Sequence, residues 1–183
     1  MSEPVSPLNG ASFKGFATIR EIGPQGMITL RAAPQTKGLA AAVKAAIGTP
    51  LPERRSIARV EDRFCAWMSP DEYLLWLPHA AVDSALATLG EKLAGQHHMA
   101  VNVSDARAVF RIEGARADQV LRKLSPADPA ALAPGEMRRT RLGQVPAAFW
   151  ADDGGFTLVA FRSVAGYVVA LLSQAARPGG EID

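Results

Sequence analysis

The chain has 183 residues, of which 48% are hydrophobic and 21% are charged, proportions typical of a folded globular protein. Its 20 Lys and Arg residues nearly balance its 18 Asp and Glu residues, and a formal net charge of +2 is too small to indicate nucleic-acid binding. The single cysteine, Cys65, excludes an internal disulfide and a cysteine-based zinc cluster, and it is typical of a reducing compartment.

The two ends of the chain predict neither secretion nor a membrane anchor. Residues 1–14 lack a basic-then-apolar signal pattern and contain Pro4, Pro7 and Asn9-Gly10, so they predict a flexible N-terminal arm. The longest apolar run, residues 164–172, is about half of the roughly 20 residues that a membrane-spanning helix needs. Residues 178–183 are expected to form a tail. We therefore expect a cytoplasmic protein without a membrane partner.

The first half of the chain predicts the element order β-α-β-β-β-α. In chain order we expect a loosely alternating run at 15–22, a strand at 26–31, a helix from about 36 to 47, strands at 56–60, 63–68 and 71–77, and a helix from 82 to about 93. Leu39, Val43 and Ile47 recur at helical spacing until Gly48 ends the first helix. The two-residue link Glu61-Asp62 predicts a hairpin.

The second half predicts the same order. We expect a strand at 106–113, a short helix around 120–124, strands at 137–142, 145–150 and 156–161, and a helix from about 164 to 175. Pro126 ends the short helix, and Ser163 is the expected cap of the last one. Gly143-Gln144 predicts a type II′ hairpin turn, because glycine occupies its first central position.

Matching elements of the two halves lie about 80 residues apart, so the order points to an internal duplication, with chance recurrence as the alternative. The predicted fold class is α+β, with two tandem β-α-β-β-β-α halves and mainly antiparallel sheets. A single duplicated domain is expected over residues 15–177, with halves at about 15–98 and 99–177.

The residues offer no catalytic, cofactor-binding or metal-binding constellation. Cys65 lies in an apolar run and is expected to be a small buried hydrophobe. His79, His97 and His98 have no carboxylate at ligand spacing. No glycine-rich phosphate motif is present, and residues 152–155 (DDGG) predict a hairpin turn rather than a calcium loop.

Three features favour docking to another chain. Tryptophans lie on or at the ends of predicted strands, where core packing is the alternative to an interface role. Arg138, Arg139 and Arg141 share one strand and either pair with a partner's carboxylates or remain solvated; they also suggest a weaker alternative, an RNA adaptor. Helix 164–172 is apolar almost all round and must be covered on more than one side. The candidate interface residues are Arg139, Arg141, Trp150 and Tyr167.

Four segments carry a family resemblance: residues 66–75 (AWMSPDEYLL), 101–108 (VNVSDARA), 139–146 (RTRLGQVP) and 161–163 (FRS). In this order and spacing they resemble the gamma subunit of bacterial heterotetrameric sarcosine oxidase. The resemblance also extends to the folate-binding domain of aminomethyltransferases, which has a duplicated α+β architecture. Asn102 stands where that wider superfamily has the acid of an Asp-x-Ser segment, so no catalytic residue is carried over.

The resemblance implies a non-catalytic subunit of an enzyme that oxidatively demethylates sarcosine to glycine. The one-carbon unit would pass to tetrahydrofolate, and hydrogen peroxide would form. The implied partners are the alpha, beta and delta subunits, which would hold FAD, FMN, NAD, tetrahydrofolate and zinc, with no cofactor in this chain. A stand-alone folate-binding or aminomethyltransferase-like protein is the alternative.

Overall fold

The computed structural model describes residues 5–182, which form eleven strands and four α-helices. The strands are β1 (Ser12–Lys14), β2 (Thr18–Glu21), β3 (Gly26–Arg31), β4 (Ile57–Val60), β5 (Arg63–Ser69), β6 (Glu72–Leu77), β7 (Met99–Asn102), β8 (Arg107–Glu113), β9 (Met137–Leu142), β10 (Val145–Asp152) and β11 (Gly155–Phe161). The helices are α1 (Leu39–Ile47), α2 (Val82–Lys92), α3 (Ala117–Leu124) and α4 (Ala165–Ala175). The strand pairs are antiparallel, and the predicted α+β class is confirmed.

The chain divides into two compact units. The central unit consists of residues 25–104, and the terminal unit combines the residues before and after that segment. The central unit holds a five-stranded sheet of order β4-β5-β6-β3-β7, and the terminal unit holds a six-stranded sheet of order β1-β2-β8-β11-β10-β9. Apart from β1, the two sheets have equivalent strand orders, as a duplicated fold requires.

The unit boundaries differ from the expected halves at 15–98 and 99–177. The repeats run from β2 to α2 and from β7 to α4, and each repeat gives its first strand to the other repeat's sheet. Ile19 of β2 lies opposite Ile112 of β8, and Val101 of β7 lies opposite Thr29 of β3. Alternation in the sequence indicates that β2 is a strand, but it does not identify the strand with which β2 pairs.

The core of the central unit lies between one face of its sheet and helices α1 and α2. Ile28, Leu30 and Leu75 point to this face, where Val43 and Leu89 pack against them. Alternation along β3 places every second residue on the helix side. Helix α1 ends as expected at Gly48, whose left-handed conformation allows its N–H to donate to the carbonyl of Lys44.

The core of the terminal unit lies between its sheet and helices α3 and α4, with Phe110, Phe149 and Leu172 fully buried. Gly143 has a φ of 56° in the β9–β10 turn, which agrees with the predicted type II′ hairpin. The expected cap of α4 is wrong. The helix is entered through a 3₁₀ turn at Arg162–Val164, and its cap position is Val164, which makes no side-chain hydrogen bond.

Most of the expected N-terminal arm over residues 1–14 is an ordered part of the terminal unit; residues 1–4 lie outside the described residues. Asn9 and Gly10 have φ values of 53° and 75°, and Ala11 N–H donates to the carbonyl of Leu8 at 3.2 Å. Two positive φ angles at the centre of a closed turn are the signature of type I′. Strand β1 then pairs with β2.

Glu21 fixes this N-terminal segment to the sheet. Its side chain is buried, with 3% of the residue exposed, and its carboxylate accepts hydrogen bonds from Ser6 Oγ (2.9 Å), Leu8 N–H (3.2 Å) and Gly10 N–H (2.8 Å). A buried carboxylate is tolerated when hydrogen bonds replace its hydration. We call residues 5–10 the N-terminal strap.

The expected tail over residues 178–183 is also attached as far as it is described. Ile182 N–H donates to Gln119 Oε1 at 2.8 Å, and Lys123 Nζ donates to the carbonyls of Ala175 and Gly180. Asp183 lies outside the described residues. Both ends of the described chain are therefore held by side chains of the terminal unit.

A substitution at Gly155 tests whether β11 approaches β8 as closely as the structure shows. A Cβ atom at this position would overlap with the carbonyl oxygen of Ile112, whereas a Cβ at Gly166 would meet nothing within 4 Å. We expect Gly155→Ala to lower the free energy of unfolding by about 1–3 kcal/mol, because the backbone must shift. Gly166→Ala is the matched control and should leave stability unchanged or slightly raised. Denaturant unfolding measures both, and equal stabilities would contradict the packing described.

Candidate partner interface

Trp150 is not available to a partner in this structure, which corrects its assignment as a candidate interface residue. Only 2% of the residue is exposed. It lies on β10 beside Phe149, and both faces of the strand are buried here because Ala147 and Phe149 point to the helix side while Ala148 and Trp150 point to the other. The fold of this chain alone therefore buries the indole ring of Trp150, and no partner is needed to cover it.

Arg139 and Arg141 lie exposed on β9, the edge strand of the six-stranded sheet. They point to the sheet face opposite α3 and α4, since Leu142 of the same strand points into the core. Arg138 points to the other face and pairs with Glu136 at 2.6 Å. The alternation thus separates Arg138 from Arg139 and Arg141, the two arginines that we take as interface candidates.

Tyr167 lies on α4 and is 42% exposed. Its hydroxyl and the side chain of Leu171 cover the β9–β10 turn, because a Cβ built on Gly143 would lie 3.0 Å from Tyr167 Oη and 2.9 Å from Leu171 Cδ1. Since Arg141 is two residues before Gly143, the turn brings Arg141 and Tyr167 to the same end of the sheet. The structure leaves both residues accessible at this end.

Helix α4 exposes a face without a charged side chain. Its eleven residues contain no Asp, Glu, Lys or Arg. Ala165, Val168, Leu172 and Ala175 are buried in the terminal unit. The exposed positions are Gly166, Tyr167, Ala170 and Gln174. The helix was expected to need cover on more than one side, and the terminal unit covers one side only.

Sequence reasoning missed a second surface around Phe161. This side chain is 43% exposed at the end of β11, and the guanidinium of Arg107 lies 4.2 Å from its ring centroid. The guanidinium of Arg162 donates to the carbonyl of Val5 at 2.7 Å. Alternation from Phe156 and Leu158 was the available signal, because it places Phe161 on the face away from the core.

The family-like segment 66–75 spans the end of β5, the turn and the start of β6, and its Asp71 forms an ion pair with Arg31. Asp71 accepts hydrogen bonds from Ser69 Oγ at 3.0 Å and from Arg31 Nη2 at 2.9 Å. The hydrogen bond from Ser69 and the guanidinium of Arg31 hold the pKa of Asp71 below its usual value. These contacts fix the turn and leave the carboxylate ionised.

The segment around Asn102 has a local structural role. Asn102 Oδ1 accepts hydrogen bonds from Ser104 N–H at 2.9 Å and Ser104 Oγ at 2.6 Å, and Ser104 Oγ accepts from Met27 N–H at 3.0 Å. Ser104 is 3% exposed. These hydrogen bonds tie the end of β7 to the start of β3 within the central unit.

Within residues 5–182, the cysteine and histidine side chains are not grouped into a catalytic or metal-binding site. Cys65 is fully buried, and burial raises the pKa of its thiol. His98 Nδ1 lies 3.0 Å from the carbonyl of Gln96. Among residues 5–182, no three His, Cys, Asp or Glu side chains are arranged to hold a metal ion. In the same range, no helix combines the length and apolar character needed to span a membrane.

The architecture is a duplicated α+β fold of the kind found in aminomethyltransferases. Glycine cleavage system aminomethyltransferase T from Bartonella henselae superposes with a TM-score of 0.63 over 90% of this chain and 47% of that one. The identity is 16%, so this likeness concerns the fold alone. The expected resemblance to this architecture is confirmed.

The chain belongs to the sarcosine oxidase gamma subunit family, because the sequence model of this family matches residues 31–177. The gamma subunit of sarcosine oxidase from Corynebacterium sp. (strain P-1) is 34% identical over 145 residues, which cover 76% of this chain and 69% of the relative. A chain of the heterotetrameric sarcosine oxidase from Corynebacterium sp. U-96, solved with pyrrole 2-carboxylate, has a TM-score of 0.79 and 29% identity over 90% of this chain and 87% of that chain.

Burial of Cys65 predicts an inert thiol. We expect 5,5′-dithiobis(2-nitrobenzoic acid) to modify less than about a tenth of the native protein and all of the unfolded protein, because a buried thiol is neither accessible nor ionised. Ala40→Cys, on the exposed side of α1, provides the control and should react at once in the native state. Complete native-state labelling of the unsubstituted chain would contradict the burial of Cys65.

Proposed function

We propose that the chain acts as the non-catalytic gamma subunit of a heterotetrameric sarcosine oxidase. The complex would oxidatively demethylate sarcosine to glycine in the cytoplasm, pass the one-carbon unit to tetrahydrofolate and form hydrogen peroxide. The observation that carries this proposal is the family match over residues 31–177, together with the structural match to a chain of a heterotetrameric enzyme.

In this proposal, the reactive groups belong to other chains. Alpha, beta and delta subunits would hold FAD, FMN, NAD, tetrahydrofolate and zinc, while this chain supplies a shaped surface. Two polar side chains are occupied by structural partners: Glu21 accepts hydrogen bonds from the strap, and Asn102 accepts them from Ser104. A rigid subunit of this kind would support the reaction indirectly, because its binding favours one conformation of the chain that it contacts.

The uncharged face of α4 is the first surface that we assign to a partner. An interface core is depleted in charged residues and enriched in aromatic side chains, and Tyr167 stands on this face. Arg139 and Arg141 lie on the opposite face of the sheet from α4, so they would pair with a partner's carboxylates at a separate contact. Small side chains such as Gly166 and Ala170 allow another backbone to approach the helix closely.

Omission of the subunit tests the proposed function. The partner chains should be produced together with and without this chain, and the complex isolated through a tag on the largest partner. We expect the gamma chain to be retained at equal stoichiometry, and sarcosine-dependent oxygen consumption to fall when it is omitted. A complex that assembles completely and has full activity without it would refute the proposal.

A charge on α4 should weaken assembly without unfolding the chain. We expect Ala170→Glu to weaken association at least about tenfold, because an unpaired carboxylate would be buried at the interface. Ala41→Glu is the matched control, an equally exposed alanine on α1. Titration by light scattering measures both, and thermal unfolding verifies that each variant folds. Equal association of the two variants would remove α4 from the interface.

A further inference from the structure

The N-terminal strap completes an open cleft at the end of the six-stranded sheet. The cleft is lined by Pro7, Ala106, Phe161, Arg162 and Ser163, and all of them belong to the terminal unit. Pro7 comes from the strap, Ala106 directly precedes β8, and the other three lining residues follow one another from the end of β11 into the 3₁₀ turn before α4. The cleft is too open to enclose a small molecule, which a ligand pocket normally buries by more than two thirds.

Two contacts hold the strap in place beside this cleft. Arg162 Nη1 donates to the carbonyl of Val5 at 2.7 Å. Further along the strap, the buried carboxylate of Glu21 accepts hydrogen bonds from Ser6, Leu8 and Gly10. Pro7 therefore lies between two anchored points. A wall that is fixed before binding loses little conformational entropy when a ligand arrives.

The side chains at the cleft combine apolar surface with positive charge. Phe161 is 43% exposed although Arg107 stacks on its ring, and Val5, the first residue of the strap, is also exposed. Arg162 is a second guanidinium at the cleft. Aromatic and arginine side chains dominate the binding energy of protein interfaces. Guanidinium groups favour carboxylates as partners, in a bidentate geometry.

We propose that this cleft binds an extended segment of a partner subunit that carries an apolar side chain next to a carboxylate. The proposal rests on the function proposed above, because it requires an assembly with other chains. The apolar side chain would contact Phe161 and Pro7, and the carboxylate would pair with the guanidinium groups. Glu21 is then a positioning residue for the interface, since it fixes the strap and not the partner.

Photo-cross-linking in the assembled complex tests the proposal. p-Benzoylphenylalanine is introduced in place of Phe161 and, as a control, in place of Val60, an equally exposed residue of the central unit. We expect position 161 to cross-link to a peptide of another subunit with Asp or Glu within two residues of the attachment point. Cross-links only to a second copy of this chain, or to a partner segment without an acid, would overturn the proposal.

Glu21→Gln then tests the role of the strap. The amide nitrogen of glutamine would face at least one N–H donor of Leu8 or Gly10, or the Ser6 hydroxyl, so the strap should detach and the cross-link at position 161 should fall at least fivefold. Glu113→Gln is the matched control, a glutamate of β8 that pairs with Arg20 and not with the strap. Amide hydrogen exchange at Leu8 and Gly10 should accelerate in Glu21→Gln alone.

The outcomes separate the two proposals. If the complex assembles and Ala170→Glu weakens it, but position 161 cross-links no better than position 60, the cleft proposal is wrong and the subunit function stands. If the unsubstituted chain joins no partner, both are wrong. An unchanged cross-link in Glu21→Gln, with exchange accelerated, would show that the strap does not shape the binding site.

Discussion

The exchange of first strands is the constraint on which the rest of the structure depends. The five-stranded sheet ends with β7, which begins the second repeat, and the six-stranded sheet incorporates β2, which begins the first. The five-stranded sheet is therefore complete only after the first strand of the second repeat has been synthesised, and the six-stranded sheet needs both repeats. Long-range pairings of this kind slow folding, because loop closure precedes the favourable contacts. They also explain why a division at residue 98 or 99 does not separate the units.

The same constraint positions the surfaces of the terminal unit. Because β2 lies beside β8, Glu21 at the end of β2 reaches the strap and holds it against the sheet. Removing hydrogen-bond partners from a buried carboxylate is costly, so the strap and the carboxylate stabilise each other. The placement of one strand thus determines whether residues 5–10 form a wall of the cleft or leave the surface.

Local patterns in the sequence predicted most elements, and the features they missed depend on distant partners. The strand at 26–31 and the glycine after α1 are local signals, and both are confirmed. The burial of Trp150 had a signal too, since four apolar residues at 147–150 are typical of a strand buried on both faces. The Asn9-Gly10 pair is a local signal for the turn. No local pattern indicates that Glu21 accepts hydrogen bonds from the N–H groups of this turn. The exposure of Phe161 also depends on distant parts of the chain, because they determine which surfaces of the sheet are covered.

The distribution of charge among the helices sets the exposed face of α4, the proposed docking face, apart from α2 and α3. Helix α2 ends with Lys92 and helix α3 with Arg122 and Lys123, cations that favour the carboxyl end of a helix and keep it soluble. Helix α4 has neither acidic nor basic residues, although four of its eleven residues are exposed. Its exposed alanine and glycine residues, Gly166 and Ala170, add little apolar area to the surface. In the proposed complex, the same small side chains would let a neighbouring backbone come close, and dispersion contacts would then stabilise the assembly. A helix whose exposed face met only water would not be stabilised by the absence of charged side chains from that face.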